Sequence, residues 1–208
     1  MRICETFLSL QGESTFSGLP CFFIRTAGCN LNCTYCDTPY AKEGGREMSI
    51  QEIIQSIPEK VNIITITGGE PLLQTETKAL ISALQHRKKI VLLETNGSLP
   101  VNSVPKRVIR IVDVKTPGSG EQDTFLTKNL KYLTPDDELK FVLTSKEDYL
   151  WALEKLREWN LYNVKVLFSP AWGYLNPRDL WEWMTQDCPP ARLQLQLHKI
   201  VWGNRRGI

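Results

Sequence analysis

Six apolar, β-branched runs recur along the chain: CFFIRTAG (21–28), NIITITGG (62–69), KIVLLETNG (89–97), VIRIVDVK (108–115), ELKFVLTS (138–145) and NVKVLFSP (163–170). Their apolar residues are nearly continuous, as in strands covered on both faces of a parallel sheet. Between several of them the apolar period lengthens to that of a helix. SIQEIIQSIPEK (49–60) opens on Ser49 with Glu52 three residues on, the pattern of a capping box. TETKALISALQHRK (75–88) puts Leu80, Ala83 and Leu84 on one face, and KEDYLWALEKLREW (146–159) repeats the period with Leu150, Leu153 and Leu156. NPRDLWEWMTQ (176–186) begins with Pro177 in its first turn and aligns Leu180, Trp181 and Met184, whereas RLQLQLHKIVW (192–202) alternates like an edge strand or closing segment. Strands alternating with helices predict an α/β fold with a parallel sheet. Six strands in 208 residues fall short of a closed eightfold barrel, which takes about 250 residues. The expectation is an incomplete (β/α)6 TIM-like barrel forming a single domain over residues 1–208, with an open doubly wound sheet as the alternative.

Parallel α/β folds collect their chemistry at the carboxyl ends of strands, and the suggestive motifs of this chain fall there. The cysteine loop AGCNLNCTYCDTPY (27–40) follows the first run, Gly68-Gly69-Glu70-Pro71 the second, and Glu94-Thr95-Asn96-Gly97 the third. Asp113 and Lys115 end the fourth run and Ser169-Pro170 the sixth. Gly-Gly or Asn-Gly alone reads as a turn; so many in register with a cysteine loop mark a site.

Composition narrows the class. Apolar content of 42% and charged content of 23% are ordinary globular values, and a formal charge of +2 gives no pull towards nucleic acid or a membrane surface. No apolar run reaches the roughly 18 residues of a membrane span. The start, MRICETFLSLQGES, carries Glu5, Ser9, Gln11 and Glu13 where a signal peptide would be apolar, so a cytoplasmic location is expected. Of the six cysteines, Cys4, Cys21 and Cys188 are scattered and read as free thiols.

The other three, Cys29, Cys33 and Cys36, are spaced C-x3-C-x2-C with no fourth nearby. Structural zinc and ordinary iron–sulfur clusters take four protein ligands. Three thiolates can hold three corners of a 4Fe–4S cube, leaving one iron open to an amino acid that chelates through its amine and carboxylate. This spacing, with Tyr35 before Cys36, resembles the signature of the radical S-adenosylmethionine (SAM) enzymes, and Gly68-Gly69-Glu70-Pro71 resembles their second motif. LSLQGEST (8–15), GLPCFFIRTAGCNLNCTYCDT (18–38) and the ending LHKIVWGNRRGI (197–208) narrow the resemblance to the 7-carboxy-7-deazaguanine synthase family of queuosine biosynthesis. The usual QGEG reads Gln11-Gly12-Glu13-Ser14 here, a small-residue change expected to be tolerated.

The resemblance implies a barrel of the radical SAM type and a carbon–nitrogen lyase. The implied reaction is ring contraction of 6-carboxy-5,6,7,8-tetrahydropterin to 7-carboxy-7-deazaguanine with loss of ammonia. It also implies a 4Fe–4S cluster on Cys29, Cys33 and Cys36, SAM regenerated each turnover, Mg2+, a one-electron donor of flavodoxin or ferredoxin type, and a homodimer. Its SAM site would be lined by Tyr35, Cys36, Asp37, Gly69, Asp113, Val114, Lys115, Ser169, Pro170, Ala171 and Trp172. Gly69→Val is then expected to block the cofactor's methionine end while leaving the cluster assembled.

A pterin edge presents donors and acceptors, which the backbones of Leu10 and Gly12 and the side chains of Gln11 and Glu13 suit. Arg25 offers a two-pronged donor for a carboxylate, or a surface salt bridge. Thr67 stands beside the substrate, or is a plain strand threonine, and His198 touches the substrate or fills the core. The carboxylate of Ile208 reaches the pterin, or the tail frays. Thr38 ligates Mg2+ together with substrate oxygens, or caps a turn begun by Pro39. His86 and the Arg87-Lys88-Lys89 run suit a solvated helix end. Two rivals remain: a radical SAM activase that installs a glycyl radical on a partner, and a zinc module on nucleic acid, which the lack of a basic stripe disfavours.

Overall fold

An element that the apolar runs do not announce begins the chain. In the computed structural model, which describes residues 1–161 and 163–208, strand β1 (Arg2–Leu10) pairs antiparallel with β2 (Pro20–Thr26), Leu10 opposite Pro20. A two-residue strand β3 (Arg46–Glu47) covers the other edge of β1. From β2 the sheet runs parallel through β4 (Ile63–Gly68), β5 (Ile90–Thr95), β6 (Ile109–Val114), β7 (Glu138–Leu143), β8 (Lys165–Pro170) and a short β9 (Arg192–Leu193). The order is β3-β1-β2-β4-β5-β6-β7-β8-β9. All six apolar runs are therefore adjacent parallel strands; of the closing segment only Arg192–Leu193 forms the β9 edge, and Leu197–Trp202 is a short helix where the alternation suggested strand.

The helices start where the caps put them. Ser49 accepts from the Glu52 amide while Glu52 bonds back to the Ser49 amide at 2.7 Å, opening α1 (Ile50–Gln55). α2 spans Thr77–His86, α3 Lys146–Trp159 and α4 Pro177–Asp187. The β5–β6 and β6–β7 connections depart from the regular (β/α)6 expectation. Residues 96–108 hold no helix, and the next crossover carries only 3-10 turns at Pro117–Ser119, Gln122–Thr124 and Thr127–Tyr132. Pro100 and Pro105 remove backbone donors in the first of these connections, where a helix would need them.

Two apolar layers back the sheet. Ile24, Ile64, Ile66, Val91 and Leu93 pack with Ile53 and Ile54 of α1 and Leu80, Ile81 and Leu84 of α2. Val112, Leu139, Phe141 and Phe168 pack with α3 and α4. The stripe of α3 is Tyr149, Ala152, Leu153 and Leu156; Leu150, expected in it, is 51% exposed. On α4, Leu180 and Met184 are buried but Trp181 faces out at 52%. A third cluster, Cys21, Phe23, Ile63, Leu92 and Ile111 with Phe7 and Phe16, fills the inner face of the curled sheet. That plug is the floor on which the polar residues of the strand tops stand.

Candidate active site

Above the plug lies a cavity of about 580 Å³, lined from β1 round to the segment after β8 and by the chain's own last residues. The cysteine loop forms one wall. Gly28 N donates to Ala41 O at 2.7 Å, Thr34 N to Ser119 O at 3.0 Å, and Asn32 N to the Glu121 carboxylate at 2.6 Å. These bonds pin a loop without regular structure. Cys29, Cys33 and Cys36 are half-buried and all line the cavity. Cys21 is buried in the floor, its thiol 3.0 Å from the Thr65 hydroxyl, and Cys188 is exposed at the end of α4. Among the described residues no three His, Cys, Asp or Glu side chains converge on a single-ion site. The three thiols share one loop and one cavity wall.

The Gly-Gly pair seats the end of β4 against this loop. A Cβ on Gly68, whose φ is 145°, would lie 2.3 Å from Thr26 O, and one on Gly69 would lie 2.0 Å from Gly28 O and 2.8 Å from Cys29 Cβ. Only glycine permits the approach. Gly69→Val would therefore push on the cysteine loop itself, so the expected separation between blocked cofactor and intact cluster does not hold at this position. Glu70 is fully buried and accepts from Leu72 N (2.9 Å), Thr95 Oγ1 (2.8 Å) and Asn96 N (2.7 Å), tying this motif to the end of β5.

Opposite the thiols stands the loop after β1. The buried Gln11 amide donates to Thr65 Oγ1 (2.9 Å) and Glu94 (3.4 Å), and its oxygen accepts Glu13 N (3.1 Å), so its side chain builds the loop. Burial alone would raise the Glu13 carboxyl, but the Lys140 ammonium at 2.7 Å, with His198 and the Gln196 amide at 2.8 Å, holds it at about 2. Thr67 Oγ1 donates to Glu94 at 2.8 Å, and burial pushes the Glu94 carboxyl upward. Leu10, Gly12 and the His198 ring complete this wall; a Cβ on Gly12 would meet His198 Nδ1 at 2.0 Å. Burial lowers the His198 pKa, favouring a neutral imidazole.

Arg25 is no surface arginine. Its Nε donates to Glu5 at 2.8 Å, and Glu5 also accepts from Tyr40 OH (2.9 Å) and Arg206 Nε (3.2 Å). Arg206 lies 3.6 Å over the Tyr40 ring, and this anchored tail brings Ile208 onto the cavity. Thr38 precedes the 3-10 turn Pro39–Ala41 but makes no side-chain cap bond; its backbone oxygen accepts Ala41 N at 2.9 Å. The residue lines the cavity.

The remaining wall is the top of β6 to β8. Asp113 Oδ2 lies 3.0 Å from Lys115 Nζ and 3.6 Å from Lys140 Nζ, while Oδ1 is buried without a hydrogen-bond partner. Lys115 stands 5.9 Å over the Tyr35 ring, and Asp37 pairs with Lys199 at 3.2 Å. Ala171 and Trp172 reach the cavity; Val114, Ser169 and Pro170 do not, being buried in the strands. For Val114 the two-residue period decides this, turning it outward between Asp113 and Lys115. Residues that the sequence did not single out also stand here: Tyr40 and Lys140 line the cavity, and Glu5 holds Arg25 at its edge. A charged residue inside the apolar run ELKFVL was the available signal for Lys140.

The Radical SAM superfamily model matches residues 23–186. A protein of Chlorobaculum tepidum named 7-carboxy-7-deazaguanine synthase is 44% identical over 100% of this chain and 97% of its own length. One of the same name from Koribacter versatilis is 42% identical, covering 97% of each. A crystal structure of QueE from Escherichia coli superposes with a TM-score of 0.76 at 24% identity, covering 95% of this chain and 94% of that one. Streptococcus suis SuiB bound to S-adenosylmethionine gives 0.57 at 16%, covering 82% of this chain and 48% of that one, a likeness of fold alone. With the cysteine loop, the Gly-Gly seat and full-length identity of this size all in one chain, the protein belongs to the 7-carboxy-7-deazaguanine synthase family of the radical SAM superfamily.

Proposed function

We propose that this chain catalyses ring contraction of 6-carboxy-5,6,7,8-tetrahydropterin to 7-carboxy-7-deazaguanine with loss of ammonia. The observation that carries the reading is the division of the cavity: three thiols and a glycine seat on one wall, and ionised and neutral hydrogen-bonding groups on the other. The activase and zinc-module readings lack a comparable feature. Cys29, Cys33 and Cys36 would hold the 4Fe–4S cluster that the superfamily implies. SAM would lie against Tyr35, Cys36, Asp37, Gly69, Asp113, Lys115, Ala171 and Trp172, with Val114, Ser169 and Pro170 offering backbone only. Bound together, cluster and SAM supply the radical that abstracts hydrogen from substrate. Glu13, kept ionised, accepts from pterin N–H groups, and the free fork of Arg25, its Nε already held by Glu5, takes the substrate carboxylate. Thr67, Gln11 and the Leu10 and Gly12 backbones border the ring, neutral His198 flanks it, and the Ile208 carboxylate accepts from its far edge.

Mg2+ commonly keeps only one or two protein oxygens among about six. The uncommitted Thr38 hydroxyl is suited to join substrate oxygens around such an ion, which would then need substrate to bind. The electron comes from a flavodoxin- or ferredoxin-type donor, and exposed Trp181 on α4 offers an apolar face to a second copy in a homodimer.

The test is anaerobic reconstitution. About four iron and four sulfide per chain, followed by deazaguanine formation from the tetrahydropterin with SAM, supports the reading; a loaded enzyme that leaves the pterin unchanged overturns it. Thr38→Ala is expected to lose Mg2+ stimulation while keeping its iron, and Thr38→Ser to retain most of it. Wild-type Mg2+ response in Thr38→Ala would place the ion elsewhere.

A further inference from the structure

Lys140 touches neither ligand in the proposed arrangement beyond holding Glu13 ionised, yet it lines the cavity between the two proposed ligand walls. It lies inside an apolar strand, is 8% exposed, and sits opposite Asp113 in the β6–β7 register with both side chains on the inner face. Its ammonium is 2.7 Å from Glu13 Oε2 and 3.6 Å from Asp113 Oδ2. Glu13 belongs to the loop proposed to read the pterin, and Asp113 to the wall proposed to hold SAM. Lys115, 3.0 Å from the same Asp113 oxygen, extends the line of charge to Tyr35 in the cysteine loop. Two carboxylates and two ammonium groups thus run in alternation across the whole cavity. The line is incomplete at one point: Asp113 Oδ1 is buried and has no partner. The carboxylate as a whole keeps 17% of its side chain exposed on the cavity, so a ligand donor reaches it on that side rather than at Oδ1.

We propose that Lys140 is a positioning residue, the shared counter-ion that couples SAM binding to substrate binding. A hydroxyl or ammonium donor of SAM that engages Asp113 draws that carboxylate's charge towards the cofactor. The Lys140 ammonium is then biased towards Glu13 and fixes the acceptor that reads the pterin. By linkage the reverse holds, and substrate on Glu13 strengthens SAM binding by the same factor. This inference rests on the proposed substrate and deepens that reading.

The experiment measures SAM affinity calorimetrically on the reconstituted holoenzyme with its cluster oxidised, so that no turnover occurs. It is run with and without saturating 6-carboxy-tetrahydropterin. In the wild type the pterin is expected to tighten SAM by at least about 5-fold, the lower end of ordinary coupling. Lys140→Met should bring that ratio to one with cluster content unchanged. Because a lone buried carboxylate can unfold a domain, Lys140→Gln, which keeps a donor without the charge, carries the same expectation. Lys140→Arg keeps the charge and should keep a ratio above one. An undiminished ratio in Lys140→Met or Lys140→Gln overturns the proposal, as does a ratio of one in the wild type or in Lys140→Arg. A direct titration of the pterin into the same holoenzyme separates the two failures: no pterin binding overturns the functional reading, whereas pterin binding with a SAM ratio of one overturns the coupling.

Discussion

Ser14 shows what one residue does to a local turn. Its φ is 66°, a left-handed conformation that costs a non-glycine residue about 1–2 kcal/mol. The side chain is buried, and its Oγ accepts Phe16 N at 3.0 Å, which offsets part of that strain. Ser14→Ala keeps the strain and loses the acceptor, so it should destabilise by about 1 kcal/mol, a fall in Tm of roughly 2–4 °C for a chain of this size. Ser14→Gly removes both and should lie within about 0.5 kcal/mol of the wild type; thermal unfolding of the pair checks the order. Glu13 gives a pH signature. Its carboxyl, held at about 2 against about 4.3 in an unfolded chain, contributes stability that is fully present above about 4.3 and lost as pH falls towards 2. Glu94, pushed upward by burial, contributes with the opposite sign. Glu13→Gln should therefore flatten the acid limb of a stability profile between about pH 4.3 and 2, read by urea unfolding.

Among the elements, α3 separates period from packing. The sequence offered Leu150, Leu153 and Leu156 as a stripe, yet Tyr149 takes the buried place beside Leu153 and Leu156. Its ring packs on Phe168, and its hydroxyl donates to Asp187 of α4 at 2.9 Å, a contact a leucine cannot make. Leu150→Lys is expected to change unfolding free energy by less than about 0.5 kcal/mol, whereas Leu153→Ala should cost about 2–3 kcal/mol. Strand β1 failed to announce itself for a related reason. Its face towards the plug carries Glu5 and Ser9 on either side of Phe7, so polar residues interrupt the apolar pattern that a core strand would show. On β7, Glu138 accepts Thr15 N at 3.0 Å and Lys140 holds Glu13, so one strand clamps the loop after β1.

For the whole molecule, that clamp matters because it joins distant parts of the sheet order across the cavity. The tail adds a second closure: Leu197 N donates to Gly12 O at 2.8 Å, and Arg206 locks onto Glu5 and Tyr40. Appending four residues after Ile208 would move the terminal carboxylate away from the cavity. The substrate KM should rise by roughly tenfold, the worth of one charge-assisted hydrogen bond, with iron content unchanged; unaltered steady-state kinetics would show that the carboxylate has no contact with substrate.

The positions of the parallel strands, the helix starts and the cysteine loop were legible in the chain because each depends on neighbours a few residues away. Apolar runs set β2 and β4 to β8, Ser49 with Glu52 set α1, and C-x3-C-x2-C put three thiols on one loop. The pairings across the cavity were not legible. Glu5 with Arg25, Glu13 with Lys140 and Glu70 with Asn96 link distant segments; an apolar run around Lys140 or Arg25 marks the residue as unusual, but nothing local names its partner. Only the curl of the sheet over its apolar plug takes these groups out of water, and burial without solvent obliges each charge to find its partner.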